Sequence, residues 1–237
     1  LKGYNDPRLK SYFNAAQDGR DNDGNITQTV AGVKQLTSIE GKFKGVRQGT
    51  GVGDNRYSTH SRTTITTSSK IIVMAAAEVW FLRAEAALRG FTSEDVESCY
   101  KQGVTTSFAQ WDASGVSEYL ESENTPADYV DTFDKNFDAK ATTSITPKWD
   151  NTADNETKLE RIITQKWLAI YPEGCEAWAE QRRTGYPKLF KVVVNNSSNA
   201  ISTDDMIRRV FFNQDYITNN KPLYDALVSK LGGLDTG

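Results

Sequence analysis

Few residues of this chain are suited to chemistry, and their spacing narrows the choice further. The 237 residues include one histidine, His60, set in a Ser/Thr-rich stretch with no recognisable nucleophile beside it. A His-rich zinc site is excluded and a histidine-based triad has no partners in view, so a solvated side chain is expected. The two cysteines cannot build a disulfide framework. Cys99 and Cys175 both fall on apolar helical faces and read as small core residues. The 31 acids include no pair whose context marks a glycosidase, which needs two carboxyl groups at set separation in a cleft. Asp21, Asp23 and Asn25 suggest a Ca2+ loop, but the calcium-loop pattern requires glycine at its sixth position and an acid at its twelfth. Those positions hold Ile26 and Gly32, so neither Ca2+ nor another cofactor is expected. Gly49, Gly51 and Gly53 lack the spacing and the strand-to-helix setting of a dinucleotide fingerprint. Arg182-Arg183 can clamp an acidic group or satisfy a helix end before Gly185, and the structural role is preferred.

The elements that must carry these residues are helical. With 38% hydrophobic and 11% aromatic residues, disorder throughout is excluded. The balance of 28 basic and 31 acidic residues lacks the positive field of a general nucleic-acid binder. The most apolar run, Ile71 to Leu88, is interrupted by Glu78, Arg83 and Glu85, so it does not read as a membrane span. Residues 1–70 are polar and turn-rich. Residues 71–111 predict an αα-hairpin of tetratricopeptide size. Its first helix, Ile71 to Gly90, is apolar around most of its circumference and should be sandwiched between neighbours, with Leu82 and Ala86 inward and Gly90 as stop. Its second helix, capped at Ser93, carries Val96, Cys99, Tyr100, Val104 and Phe108 on one stripe. Residues 112–237 read as helices and loops. Tyr129, Val130, Phe133 and Phe137 share a face behind Thr125-Pro126. Leu159, Ile162, Ile163, Lys166, Trp167 and Ile170 form the clearest helical stripe. A further helix carries Cys175, Trp178, Ala179 and Arg182 on one face. Val192 to Val194 reads as an edge strand. A last helix, capped by Asn220, buries Leu223, Ala226, Leu227 and Leu231. The fold class is mainly α.

Several segments, in order, resemble one family. They are Asn5-Asp6-Pro7-Arg8-Leu9, the run Met74 to Ala86, Tyr100-Lys101-Gln102-Gly103-Val104, Ile163-Thr164-Gln165-Lys166-Trp167, and Glu173 to Pro187. The last, containing Glu176-Ala177-Trp178-Ala179-Glu180-Gln181-Arg182-Arg183-Thr184-Gly185-Tyr186-Pro187, is the most specific. Together they resemble the SusD/RagB-like lipoproteins, of the subgroup with the RRTGYP motif, in which Trp178, Arg182, Arg183, Gly185 and Pro187 are structural motif positions. The resemblance implies the C-terminal half of a SusD-like domain over 1–237. It implies a non-catalytic, outer-membrane protein on the cell-surface side, lipid-anchored through a segment not present in this chain. It further implies an oligosaccharide ligand, a SusC-like TonB-dependent transporter as partner, and no nucleic acid. Near the C-terminus Met206-Ile207-Arg208-Arg209-Val210 departs from the family's Pro-Arg-Arg-Leu type of segment.

If the ligand is a sugar, aromatic side chains outside the apolar stripes are the candidates to contact it, because a ring face offers flat apolar area to the C–H face of a pyranose. Trp149, in an otherwise polar stretch, can stack on a sugar or plug a gap between helices. Tyr57, among Asn55, Arg56, Ser58 and His60, carries the same two readings, and Trp111 stands at a helix end. Trp80, Trp167 and Trp178 lie on helical stripes and are assigned to the core. A tetratricopeptide-type protein-interaction scaffold and an all-α glycosidase are the alternatives.

Overall fold

The computed structural model describes residues 1–19, 29–30, 33–34, 38–51, 55–197, 201–204 and 207–233. Asp21, Asp23 and Asn25 lie outside the described residues. The chain divides into two compact units, one of residues 1–47 and 52–190 and one of residues 48–51 and 191–237.

Helices organise the larger unit. They are α1 (Leu9–Tyr12), α2 (Ala76–Leu88), α3 (Val96–Gln110), α4 (Val116–Leu120), α5 (Asn155–Ala169) and α6 (Gly174–Thr184). Its only described strands are the two-residue antiparallel pair β1 (Thr29–Val30) and β2 (Val33–Lys34). The mainly α expectation therefore holds.

Helices α2 and α3 form the expected hairpin. Gly90 ends α2 with φ 76°, a left-handed value that glycine adopts freely. Asp95 caps α3 by accepting from the Ser98 N–H at 2.8 Å. Ser93 does not cap it, and neither does Glu94, whose carboxylate is held by Arg83 of α2. That ion pair sits near the turn, while further in the Phe81 ring lies against Gly103, the register of an antiparallel pair. A methyl group at Gly103 would come within 2.9 Å of that ring, so glycine here lets the two helices approach. Helix α5, capped by Asp154 at 2.7 Å from the Thr157 N–H, packs on both. The core between the three contains Phe81, Tyr100, Val104, Phe108, Ile162 and Ile163.

Several expectations are corrected. Helix α2 starts at Ala76, and Ile71, Val73, Met74, Val79 and Leu82 are exposed, so the helix is covered on one side only in this chain. No α-helix forms over 129–137, despite the shared face of Tyr129, Val130, Phe133 and Phe137. Aspartates there capture the backbone donors a helix would need. Asp131 accepts from the N–H groups of Phe133 and Asp134, and Asp134 from that of Asn136. Instead Tyr129 bridges Ala139 and a single 3-10 turn spans Lys135–Phe137. Cys99 is buried but Cys175 is exposed, because α6 turns a charged face inward rather than the Cys175–Trp178 face.

The smaller unit holds α7 (Gln214–Asn219) and α8 (Lys221–Lys230). Asn220 caps α8 as expected, accepting from the Leu223 N–H at 3.4 Å. Its apolar stripe is not buried, since Leu223 and Leu231 are 40% and 48% exposed. A unit this small has too little partner surface to cover it. Val192 to Val194 is irregular rather than a strand, although the Val194 N–H donates to the Gly49 carbonyl at 2.7 Å.

Candidate functional site

Two polar networks fix the larger unit around its cavities. In the first, Arg8 is fully buried in a bidentate pair with Asp6, at 3.0 Å from Nε to Oδ1 and 2.6 Å from Nη2 to Oδ2. Its guanidinium also donates to Ser107 Oγ and lies over the Phe108 ring. In the second, Lys166 is buried against three carboxylates, Glu180 at 2.7 Å, Glu176 at 3.2 Å and Glu78 at 3.3 Å. Arg183 extends this network to Glu85 and Glu180, both at 2.6 Å, and Arg89 reaches Glu85 at 2.8 Å. Burial pushes the Glu78 carboxyl above its ordinary range in spite of Lys166, and the neighbouring Glu176 carboxylate adds to that. Burial also opposes ionisation of Glu85, but its hydrogen bonds from Arg183 and Arg89 win and hold it below that range.

Arg183 is thus a structural residue, serving carboxylates of α2 and α6 rather than helix-end carbonyls. Arg182 lies over the Trp178 ring, 4.6 Å from its centroid. Gly185 closes α6 with φ 79°, and Pro187 is buried beyond it.

Between these networks and the loops lies a cavity of about 450 Å³. Its aromatic wall comes from Tyr4, Phe13, Phe43, Tyr129, Trp167 and Phe190. Its polar lining includes Lys2, Lys44, Asp128, Thr142, Thr143, Thr164 and Lys188. An adjoining cavity of about 460 Å³ shares Phe13, Trp167 and Leu168 and adds Tyr12, Tyr171 and Pro172. Trp167 therefore lines two cavities while it packs, like Trp80, against the edge of the core, and Trp178 is likewise only partly buried. Tyr12 braces this wall, its ring stacked on Tyr171 at 4.6 Å and its hydroxyl donating to the Leu168 carbonyl at 2.9 Å. The Tyr129 hydroxyl donates to Asp131 at 2.8 Å and its ring leans on Phe190.

The acids around the first of these cavities are engaged. Asp128 holds Lys140 and the Ala141 N–H, while Glu160 accepts from Thr143 at 2.5 Å and faces Lys188 at 3.3 Å. Thr164 is 6% exposed, and its hydroxyl has no hydrogen-bond partner among the described residues. Lys44 has its proton affinity lowered by burial first, then by the positive charges of Lys2 and Lys42.

The three aromatic residues singled out in the sequence do not converge. Trp149 is a core residue, 8% exposed, packed on Tyr100 at 5.1 Å with its Nε1–H donated to Asn151. It has no open face for a sugar. Tyr57 is half-buried, its hydroxyl on Asp131 and its ring edge-on to His60 and Phe133. Trp111 ends α3 and packs edge-on against Tyr12 at 4.7 Å, behind the aromatic wall. His60 is buried rather than solvated, with Nε2 at 3.0 Å from Thr132 Oγ1, and burial lowers its proton affinity. The cavity residues themselves are scattered in short stretches between Leu1 and Phe190, so no spacing announced them. The one local signal was Phe43 between Lys42 and Lys44.

Rings, hydroxyls and ammonium groups make this a place for non-covalent binding. Among the described residues no group of three His, Cys, Asp or Glu could hold a metal ion, and no helix is long and apolar enough to cross a membrane.

Comparison with known proteins places the chain. The profile described as the SusD and RagB outer membrane lipoprotein matches residues 1–237. The chain belongs to the SusD/RagB family. A SusD homologue of Bacteroides vulgatus is 44% identical over 99% of this chain and 45% of its own, with a TM-score of 0.81. A SusD homologue of Bacteroides thetaiotaomicron is 33% identical, covering 100% of this chain and 48% of its own at a TM-score of 0.82. A chitin-binding SusD homologue of Flavobacterium johnsoniae is 39% identical over 99% of this chain and 45% of its own, at a TM-score of 0.81. The chain spans less than half the length of each of these SusD homologues. None of the curated proteins matches it.

Proposed function

We propose that this SusD/RagB-family protein binds oligosaccharide on the cell-surface side of the outer membrane, held there by a lipid anchor, and passes it to a SusC-like TonB-dependent transporter. The observation that carries this reading is the cavity lined by six aromatic residues and bordered by threonine hydroxyls and lysines. Aromatic faces take the apolar side of a pyranose, and hydroxyl and ammonium groups take its oxygens. The chitin-binding relative supports a sugar as the ligand class. The work done is binding rather than bond-making. The carboxylates at the cavity are committed to partners, and no paired acid and base with separated proton affinities stands there.

Shallow sugar sites exchange hydrogen bonds with water, so the isolated chain is expected to bind its glycan with a Kd on the order of 10 μM to 1 mM. Capture then depends on closure against the transporter, which adds a second contact. A glycan array followed by calorimetry on the hits tests this. Binding in that range, with the glycan recovered at unchanged chain length, supports the proposal. Absence of any sugar hit, nanomolar affinity without a partner, or shortening of the glycan that survives repurification overturns it. Co-purification with the transporter checks the hand-off.

A further inference from the structure

The charges around the cavity lined by Lys2 and Lys44 are unevenly matched. Every carboxylate that borders or underlies it is engaged: Asp128 by Lys140 and a backbone N–H, Glu160 by Thr143 and Lys188, and Asp131 by two tyrosine hydroxyls and two backbone N–H groups. Lys2 and Lys44 line the same cavity, and neither has a carboxylate within ion-pair distance among the described residues. Lys42, the next cation on that segment, donates to the Ser38 carbonyl, so its charge too is not cancelled by an acid. Two ammonium groups thus line the cavity without an ion pair, with Lys42 close enough to act on Lys44, although the chain as a whole carries a net charge of −3. Asp131 and Asp138 act on Lys44 only beyond ion-pair distance and do not offset its burial and the repulsion from Lys2 and Lys42, an arrangement relieved by an anion that enters the cavity.

Resting on the oligosaccharide reading above, we infer that this cavity takes an acidic sugar, its ring against Phe43 and Tyr129 and its anionic group between Lys2 and Lys44. The anion is a carboxylate of a uronate residue or a sulfate ester. Both offer oxygens to ammonium donors, and their charge-assisted hydrogen bonds exceed those of neutral hydroxyls. A neutral sugar would offer the two lysines only hydroxyl oxygens and leave their charge unmatched.

An array carrying neutral oligosaccharides, uronate oligosaccharides, the methyl esters of those same uronates, and sulfated oligosaccharides tests this with the full 237-residue chain. The expected result is binding of uronates or of sulfated sugars, whichever supplies the anion, with methyl esterification weakening a uronate hit about tenfold. Raising salt from about 0.05 M to about 0.5 M should weaken an acidic hit further, through screening at the opening. Lys44→Gln and Lys2→Gln should each weaken it about tenfold. Lys101→Gln, paired with Glu97 on α3 and lining neither cavity, should leave it unchanged. Equal binding of a uronate and its methyl ester, or hits among neutral sugars alone, overturns the inference while the oligosaccharide reading stands. Acidic hits unaffected by Lys44→Gln and Lys2→Gln overturn the assignment to this cavity. No hit in any class overturns the oligosaccharide reading as well.

Discussion

Replacing Lys166 by methionine tests whether the charged interior holds the fold together. The ammonium is 1% exposed and stands within ion-pair distance of Glu180 and Glu78, which are 6% and 10% exposed. Methionine keeps most of the volume and removes the charge. It leaves two nearly buried carboxylates facing each other, with Glu176 close by. Removing one member of a buried ion pair costs about 3–5 kcal/mol, chiefly because the other is stranded without water or partner. For a chain of this size that corresponds to roughly 6–20 °C in melting temperature. Urea denaturation at pH 7 of wild type, Lys166→Met, Glu180→Gln and the double variant measures the loss and the coupling. The double variant should be less destabilised than the sum of the singles, by about 0.5–3 kcal/mol. The pH dependence has a definite sign. Stranded carboxylates take up protons more readily in the folded variant than in its unfolded chain, so folding of the variant is favoured as protons become available. The gap to wild type should therefore narrow as pH falls from 7 towards about 4. A loss below about 0.5 kcal/mol, or a gap that widens on acidification, would refute the argument that Lys166 compensates these acids.

Gly103→Ala should destabilise the hairpin by about 1–3 kcal/mol, because crowding the Phe81 ring outweighs the helix-propensity gain of at most about 1 kcal/mol; a raised melting temperature would contradict this. Trp149→Ala should cost about 3–5 kcal/mol as a core truncation and leave sugar affinity in the folded fraction unchanged, as read by denaturation and calorimetry together. Asp131 is held below its ordinary carboxylate range because the donors from Phe133, Asp134, Tyr129 and Tyr57 outweigh its burial. Its ionised form contributes stability above the unfolded value near pH 4, and that contribution is lost as pH falls through the lower folded value. Asp131→Asn should therefore be destabilising at pH 7, with a difference from wild type that shrinks below about pH 4, measured by chemical denaturation across pH.

What the sequence made legible was the apolar periodicity. The α5 stripe and the α3 stripe were readable because Ile162, Ile163, Tyr100 and Val104 recur at helical spacing and pack where that spacing puts them. The inner face of α6 was not readable in that way. Only Glu180 is buried there, with Glu176 and Arg183 ion-paired at its rim to Lys166 and Glu85 of other helices, and no local pattern distinguishes such charges from a solvated face. The stretch around Tyr129 misled for a different reason, since aspartate side chains there outcompete the helix for backbone N–H groups. Trp149 kept two readings because a lone tryptophan in a polar loop carries no periodicity with which to judge its burial, and its place in the core is one of them. The cavity drew on residues from Phe13 to Phe190, a convergence that only the folded chain displays.

The two thiols differ in a way that turns the molecule into its own clock. Cys175 is open to solvent in the first turn of α6, whereas Cys99 is 4% exposed inside the hairpin, where burial also raises its thiol's proton affinity. An alkylating reagent should modify Cys175 promptly in the native state and reach Cys99 only when α3 swings away from α2. The lag between the first and second mass increments then counts hairpin openings, and it does so without any introduced label or substitution.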